Sequence, residues 1–181
     1  FERGDPNLVP ERALNTSISV HYDHKIFEIE ATAFQNTINN FIYLKPEITP
    51  VLTIRGAFPA FSYAQTDAVL RGGDFTLSLH PVKNTVLRVK GTTLFAHDKT
   101  TNDWLPLMPA DKLETSLGID NQNFKYAKKT YALLSLSLVK KQNRIPLNIT
   151  DLQNPPSGYG LLGVTVGSNL KIGRQTIETI F

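Results

Sequence analysis

The sequence has no cysteine, one methionine and one tryptophan in 181 residues. Without cysteine there is no disulfide framework and no thiolate-ligated metal centre. No apolar run approaches the roughly 18 residues a membrane-spanning helix needs, and no stretch of useful length carries an apolar stripe at helical period. Hydrophobic residues make up 41% of the chain and charged ones 19%, a balance that fits neither a disordered segment nor a helical membrane protein. The net charge is only +3, and its lysines and arginines are scattered. The clustered basic face and stacking aromatics of a nucleic-acid binder are missing, so no nucleic-acid partner is expected. The opening Phe1-Glu2-Arg3 is not a secretory signal, and the chain reads as an internal piece of a longer protein. One route into a membrane stays open. A barrel strand crosses with roughly 9–11 alternating residues and gives little hydropathy signal.

What the chain has in quantity is period-two alternation, the mark of a strand with two different faces. Leu14, Thr16, Ile18, Val20 and Tyr22 alternate with Ala13, Asn15, Ser17, Ser19 and His21. After the turn Asp23-His24-Lys25 a second run goes from Ile26 to Asn36 and continues through Asn39-Asn40-Phe41-Ile42-Tyr43-Leu44. Further strands are expected at about 63–80, 85–96, 113–119, 128–140 and 159–172, with an eighth from Gln175. Between them the turns Pro81-Val82-Lys83-Asn84, Asp120-Asn121-Gln122-Asn123 and Gly173-Arg174 are short. The connections at 45–60, 97–102 and 142–157 are longer, and two of them are proline-rich, which suits loop or frayed strand.

The expected fold is all-β, an antiparallel up-and-down meander of about eight strands. Alternating short and long connections are typical of outer-membrane barrels. One strand face is aliphatic, as lipid contact requires. The other carries Ser, Thr, Gly and charge, as a wet lumen allows. A soluble β-sandwich alternates as well, with its apolar faces packed on each other, so alternation by itself leaves both architectures in play.

Five passages separate them. Gly4-Asp5-Pro6-Asn7-Leu8-Val9-Pro10-Glu11 opens the first strand, and the second ends in Asn39-Asn40-Phe41-Ile42-Tyr43-Leu44. Gln65-Thr66-Asp67-Ala68-Val69-Leu70-Arg71-Gly72-Gly73-Asp74 enters the third, Leu107-Met108-Pro109-Ala110-Asp111-Lys112-Leu113 the fifth, and Gly158-Tyr159-Gly160-Leu161-Leu162-Gly163-Val164 the seventh. In this order they resemble the barrel of TonB-dependent outer-membrane receptors. Asp5, Asp74 and Gly163 stand where that family usually has Asn, Glu and Asn. The resemblance implies one partial domain over 1–181, a segment of a transmembrane barrel of about 22 strands, in the bacterial outer membrane. It implies active uptake of a ferric siderophore or a similar bulky nutrient. The partners it implies are outer-membrane lipid, the remaining strands, a plug domain, TonB acting through that plug, and the iron complex or other ligand. It implies no cofactor. A soluble binding module and a passive porin are the alternatives.

Nothing in the chain reads as catalytic, and no enzyme is expected. His21, His24, His80 and His97 offer no pair with metal-ligand spacing on one strand face. Glu28 and Glu30 share a face at i, i+2, and Arg88 and Lys90 do the same. With Asp74 and Glu114 they are the candidate lumen or ligand-path residues. The plainer reading is lumen charge paired within the wall or with a plug. Gly72-Gly73 lacks the Lys-Ser/Thr of a phosphate loop and suggests a bulge or a close backbone approach. Asn148-Ile149-Thr150 matches a glycosylation acceptor, which carries no meaning in a bacterial outer membrane. Phe58, Phe61, Tyr63 and Trp104 lie near long loops, as an interfacial girdle or as outer-loop contacts.

Overall fold

The computed structural model describes residues 1–124, 127–147, 157–172 and 175–180. Its strands are β1 (Glu2–Arg3), β2 (Arg12–His24), β3 (Phe27–Pro46), β4 (Val51–Thr53), β5 (Gly56–Phe58), β6 (Phe61–Leu79), β7 (Thr85–Asp98), β8 (Asp103–Trp104), β9 (Lys112–Gln122), β10 (Ala127–Val139), β11 (Tyr159–Ile172) and β12 (Gln175–Ile180). No helix occurs among the described residues. Eight of these strands form one antiparallel sheet in the order β12-β11-β10-β9-β7-β6-β3-β2. Each pairs with the neighbouring long strand in the chain, as the meander requires, and among the described residues no second sheet packs face to face on it. The expected tight turn at Gly173-Arg174 and the Asn148-Ile149-Thr150 triplet lie outside the described residues.

Three short pieces depart from the eight-strand expectation. β1 adds to the end of β6 in parallel, with Glu2 opposite Phe61. β8 pairs the end of β7, with His97 opposite Trp104. The connection read as loop at 45–60 holds the hairpin β4–β5, closed at Gly56 with φ 122°. β3 also runs on to Pro46, which faces Phe61 across the pair. At a strand terminus the missing proline N–H removes no ladder bond. β9 extends to Gln122, so the expected turn at 120–123 begins later.

Of the two readings of Gly72-Gly73, a bulge or a close backbone approach, the structure shows the second. Gly72 and Gly73 stay in register with Phe34 and Ala33 on one side and with Leu94 and Thr93 on the other. They answer instead to close approach, since a Cβ at Gly72 would overlap the Phe34 ring and the Thr93 carbonyl oxygen. The slip lies one strand away, between Ile38 and Phe41 of β3, where Asn40 takes φ 57°. Asn tolerates this left-handed conformation better than most residues. A second irregularity falls between Lys128 and Tyr131 of β10.

Register sets the faces, because directly opposed residues share one. One transverse row is Tyr22, Ile29, Leu77, Val89, Thr115, Leu136, Leu162, and the next is Val20, Ala31, Phe75, Gly91, Leu113, Leu138, Gly160. This aliphatic face also holds Leu14, Ile18, Phe27, Leu87, Leu134, Val164 and Val166. Its side chains are open: Ile18 is 70% exposed, Leu162 72% and Val164 65%. The polar face is the more enclosed one on β3, β6, β9, β10 and β11, while on β7 Arg88, Lys90 and Thr92 are exposed and Leu87 and Val89 half-buried. Along β10, Leu134, Leu136 and Leu138 are exposed while Ser135 and Ser137 between them are half-buried. That inverts the rule for soluble sheets, in which burial follows the apolar side. The small buried cluster, Ala68, Ala96 and Leu105 with Phe41, Leu70 and Met108 against it, also belongs to the polar side at the long-loop end.

Candidate functional site

The six candidate charges all lie on the polar face. Ladder pairing places Glu30, Thr76, Lys90, Glu114 and Ser137 in one row, flanked by His21. The row nearer the short turns holds Asp23, Glu28, Ser78, Arg88, Ser116 and Ser135. The row on the other side holds Ser19, Thr32, Asp74, Thr92 and Lys112. Glu30 and Lys90 lie two strands apart, about 10 Å between backbones, and are not joined by an ion pair. Instead Glu114 is held by Lys112 at 2.8 Å. Arg88 donates from Nε to the buried Ser78 Oγ at 3.3 Å. Among the described residues Glu28, Glu30, Asp74 and Lys90 make no ion pair. A recess of about 230 Å³ is lined by Arg88, Lys90, Glu114, Ser116, Ser135 and Ser137. The buried Ser137 Oγ beside it has no hydrogen-bond partner. The result is a row of charges presented outward from the sheet rather than neutralised within it.

The motif residues meet at the slip in β3. Asn40 N–H donates to Asp67 Oδ1 at 3.1 Å, and Ile42 N–H to Glu11 Oε1 at 2.5 Å. Gln65 Nε2 donates to the carbonyls of Val9 at 2.6 Å and Asn40 at 2.9 Å, while its Oε1 accepts from Val9 N–H at 2.9 Å. Segment 4–11, the Asn39-Asn40 run and the 65–74 run are thus three parts of one hydrogen-bonded junction that satisfies the backbone groups a slip leaves without ladder partners.

A second built cluster was not legible beforehand. Arg144, on the 140–147 connection, grips Asp111 with both terminal nitrogens, at 3.2 Å and 2.5 Å. Thr93 Oγ1 donates to the same carboxylate at 2.6 Å. The Arg144 guanidinium stacks 4.6 Å from the Phe95 ring centroid. Hydrogen bonding from Arg144 is the main cause that holds the Asp111 carboxyl below the ordinary carboxylate range. Gln142 Nε2 donates to the carbonyls of Met108 and Pro109, and Leu147 N–H to Asp103 Oδ2. These contacts lay the connection along the ends of β7 and β9. Arg144 stands 33 residues from Asp111, in a stretch with no periodic pattern, so no sequence signal joins the two.

The four aromatics do not form one group. Trp104 stacks on His97 at 3.8 Å between centroids and lies 6.4 Å from Phe95. Phe58 meets Phe1 edge-on at 5.9 Å, and Tyr63 donates its hydroxyl to Glu2 at 3.0 Å. Phe61 opposes Pro46 at the far end of the longest strand pair. The groups of His, Cys, Asp and Glu among the described residues form no metal-binding cluster.

This inverted antiparallel sheet is that of a β-barrel wall. The family model for the TonB dependent receptor-like β-barrel matches residues 1–178, and the chain belongs to that family, which is made of outer-membrane transporters and receptors. A search of the curated proteins returns no significant match. Among solved structures the chain is similar to the copper transporter OprC, with TM-score 0.71 and 15% identity, over 95% of this chain and 26% of that one. It is similar to the siderophore receptor PirA from Acinetobacter baumannii, with TM-score 0.63 and 15% identity, over 94% and 27%. It is also similar to the FrpB iron transporter from Neisseria meningitidis, with TM-score 0.61 and 15% identity, over 94% and 26%. At such identities the likeness is one of fold, and the chain spans about a quarter of each relative's length.

Proposed function

We propose that the chain supplies wall and outer vestibule to a TonB-dependent receptor that imports a ferric siderophore or a comparably bulky nutrient across the bacterial outer membrane. The observation that carries this reading is the inversion of burial: an open aliphatic face backed by a more enclosed polar one. In water such a face would cost about 25 cal/mol for each Å² left exposed. In a bilayer the same face is the one in contact with lipid.

Within that reading the polar face lines the lumen. Glu28, Glu30, Asp74, Arg88, Lys90 and Glu114 meet the plug or the passing ligand there. The unpaired state of four of them favours an outside partner over wall-internal pairing. Trp104, with Phe95, sits just past the aliphatic band and serves as a girdle residue. Phe61 and Tyr63 lie 12 to 14 residues beyond Phe75 on β6. That is more than about 40 Å along the strand at about 3.4 Å per residue, too far for a girdle even with the usual tilt of about 40°. We assign them, with Phe58, to the outer vestibule. TonB acts through the plug, which lies outside this segment.

The test is uptake of radiolabelled iron, presented as ferric complexes of a catecholate and of a hydroxamate siderophore, by cells producing the full reading frame. Uptake that needs the frame and stops when the inner-membrane energy source is removed is the expected result. Energy-independent passage of small solutes would mark a passive pore and overturn the reading.

A further inference from the structure

We propose that the recess on the polar face between β7, β9 and β10 is a seat for a carboxylate, with Arg88 and Lys90 as its cations and the Ser137 hydroxyl as a further donor. The inference rests on the lumen-wall reading above and deepens it, because it gives one patch of that wall an occupant of defined chemistry.

Two adjacent ladder rows build the seat. One runs Arg88, Ser116, Ser135 and the other Lys90, Glu114, Ser137. Each row steps from a long cationic side chain on β7 to a serine on β10, about 10 Å away across two strand spacings. The short serine side chains leave the recess of about 230 Å³ that the longer ones border. Arg88 and Lys90 leave the same face of β7 about 7 Å apart along the strand, and both are exposed. One group seated between them can therefore meet both. The recess falls below the roughly 300–1,000 Å³ of whole-ligand pockets, so it takes a single group of a larger partner.

The local charges do not cancel. Glu114 stands opposite Lys90 in the ladder, yet its carboxylate pairs with Lys112 on its own strand at 2.8 Å. Arg88 commits only Nε, to Ser78 Oγ at 3.3 Å, which leaves its terminal nitrogens for another acceptor. Lys90 has no ion-pair partner among the described residues. The nearest other carboxylate of this face, Asp74, stands opposite Thr92 on β7 and is not paired with Lys90. The surplus at the recess is thus positive. Ser135 donates to the Gly163 carbonyl at 3.3 Å, but the Ser137 Oγ is buried without a partner. Orphaned buried hydroxyls are costly, and an acceptor shared with the two cations accounts for this one. The fork of terminal guanidinium nitrogens matches the two oxygens of a carboxylate. That carboxylate belongs to an acidic side chain of the plug or to a ligand in the lumen.

The experiment determines the structure of the full protein in detergent, with millimolar citrate and without it. A carboxylate within hydrogen-bond reach of both Arg88 and Lys90 is the expected result. Found on an Asp or Glu of the plug in both maps, it makes the seat a plug latch. Found only with citrate, it makes the seat one for diffusible carboxylates. Each source has its own second measurement with the double variant Arg88→Gln/Lys90→Gln. For a latch, amide hydrogen exchange of the plug segment bearing that carboxylate should speed up at least tenfold. For a diffusible occupant, citrate affinity by titration calorimetry should fall at least tenfold. Lys25→Gln, which removes a charge from an exposed turn, should change either readout by less than twofold. Arg88 and Lys90 both facing water, or Lys90 turned onto Glu114, in a closed barrel overturns the proposal and leaves the barrel reading standing. A readout unmoved by the double variant overturns it as well. A polar face that encloses no lumen sinks the barrel reading, and this inference with it.

Discussion

The Glu11 carboxylate accepts the backbone N–H of Ile42, 31 residues away, at 2.5 Å, and it does so immediately past the point where β3 slips against β6. The slip leaves amides without ladder partners, and buried or half-buried amides left so are costly. Glu11 serves one, Asp67 the other, and Gln65 ties segment 4–11 to both. Three of the family-like passages, 4–11, 39–44 and 65–74, are therefore together because one backbone irregularity draws on all three.

Replacing Glu11 with Ala should remove that acceptor and loosen the junction. The bond is solvent-accessible, so the expected loss is about 1 kcal/mol. Urea unfolding of the full barrel in detergent would measure it. Glu11→Gln, which keeps an acceptor oxygen, should recover most of the difference. A midpoint unchanged in Glu11→Ala would show that water serves Ile42 equally well.

Facing gives a sharper prediction. Leu136 lies mid-band on the aliphatic face, and Thr92 lies on the polar one. Arg at a lipid-facing site near the midplane costs about 2–4 kcal/mol, while lumen positions tolerate charge. Leu136→Arg should lower folding stability in phosphatidylcholine vesicles by about that amount, and Thr92→Arg by less than about 0.5 kcal/mol. Similar losses for the two would mean that the faces are not lipid and water.

Why the faces were legible and other features were not follows from range. Alternation is local and survives any tertiary context, so Leu134-Ser135-Leu136-Ser137-Leu138 declares two faces by itself. Composition alone left Gly72-Gly73 open between a bulge and a close backbone approach, and the structure shows the close approach. The signal of the slip was a change of phase in β3. Ile38 and Phe41, three apart, both face the polar side, opposite Ala68 and Thr66, and only Asn39-Asn40 between them can absorb the extra residue. β1, β8 and the β4–β5 hairpin are two or three residues each, too short to show a period. The Arg144–Asp111 clasp joins a loop to a strand end and has no local signature at all. The six charges were legible as a shared face, but their lack of mutual ion pairs depends on inter-strand register, which no single strand encodes.

Glycine on the aliphatic face is coupled to its aromatic neighbour. A Cβ at Gly91 would run into the Phe75 ring opposite, which lies over the bare backbone as aromatics do over sheet glycines. Gly91→Val should cost about 1–3 kcal/mol through overpacking. In the Phe75→Ala background the same change should cost much less, and a double-mutant cycle reads the difference as coupling. Additive losses would mean that the ring moves aside freely.

The clasp of Arg144 on Asp111 makes the 140–147 connection acid-sensitive. The carboxyl titrates below its unfolded value because Arg144 and Thr93 favour the charged form. A lowered folded-state pKa contributes stability that is fully present above the unfolded value of about 3.9. That stability is lost as pH falls through the lower folded value. Hydrogen exchange at the Arg144 and Leu147 amides, which donate to Gln142 Oε1 and Asp103 Oδ2, should thus be unaffected by the clasp between pH 8 and 5 once intrinsic rates are divided out. Protection should then fall below pH 4. Asp111→Asn should show weak protection at every pH and no step.

The sheet's two outer strands set the last expectation. β2 pairs only with β3, and β12 only with β11, among the described residues. All thirteen residues of β2 are exposed. A row of unpaired N–H and C=O groups along an open edge templates association in water and has no partner in lipid. The aliphatic face adds apolar surface well beyond what a soluble monomer leaves uncovered. Residues 1–181 made alone and purified without detergent should therefore be oligomeric or insoluble by light scattering. The same residues within the full reading frame should insert, with β2 and β12 each protected against hydrogen exchange by a further strand on the free side. A monomeric, cooperatively unfolding 1–181 in plain buffer would show that the edges and the aliphatic face are covered within this segment, and the barrel-wall reading would fall.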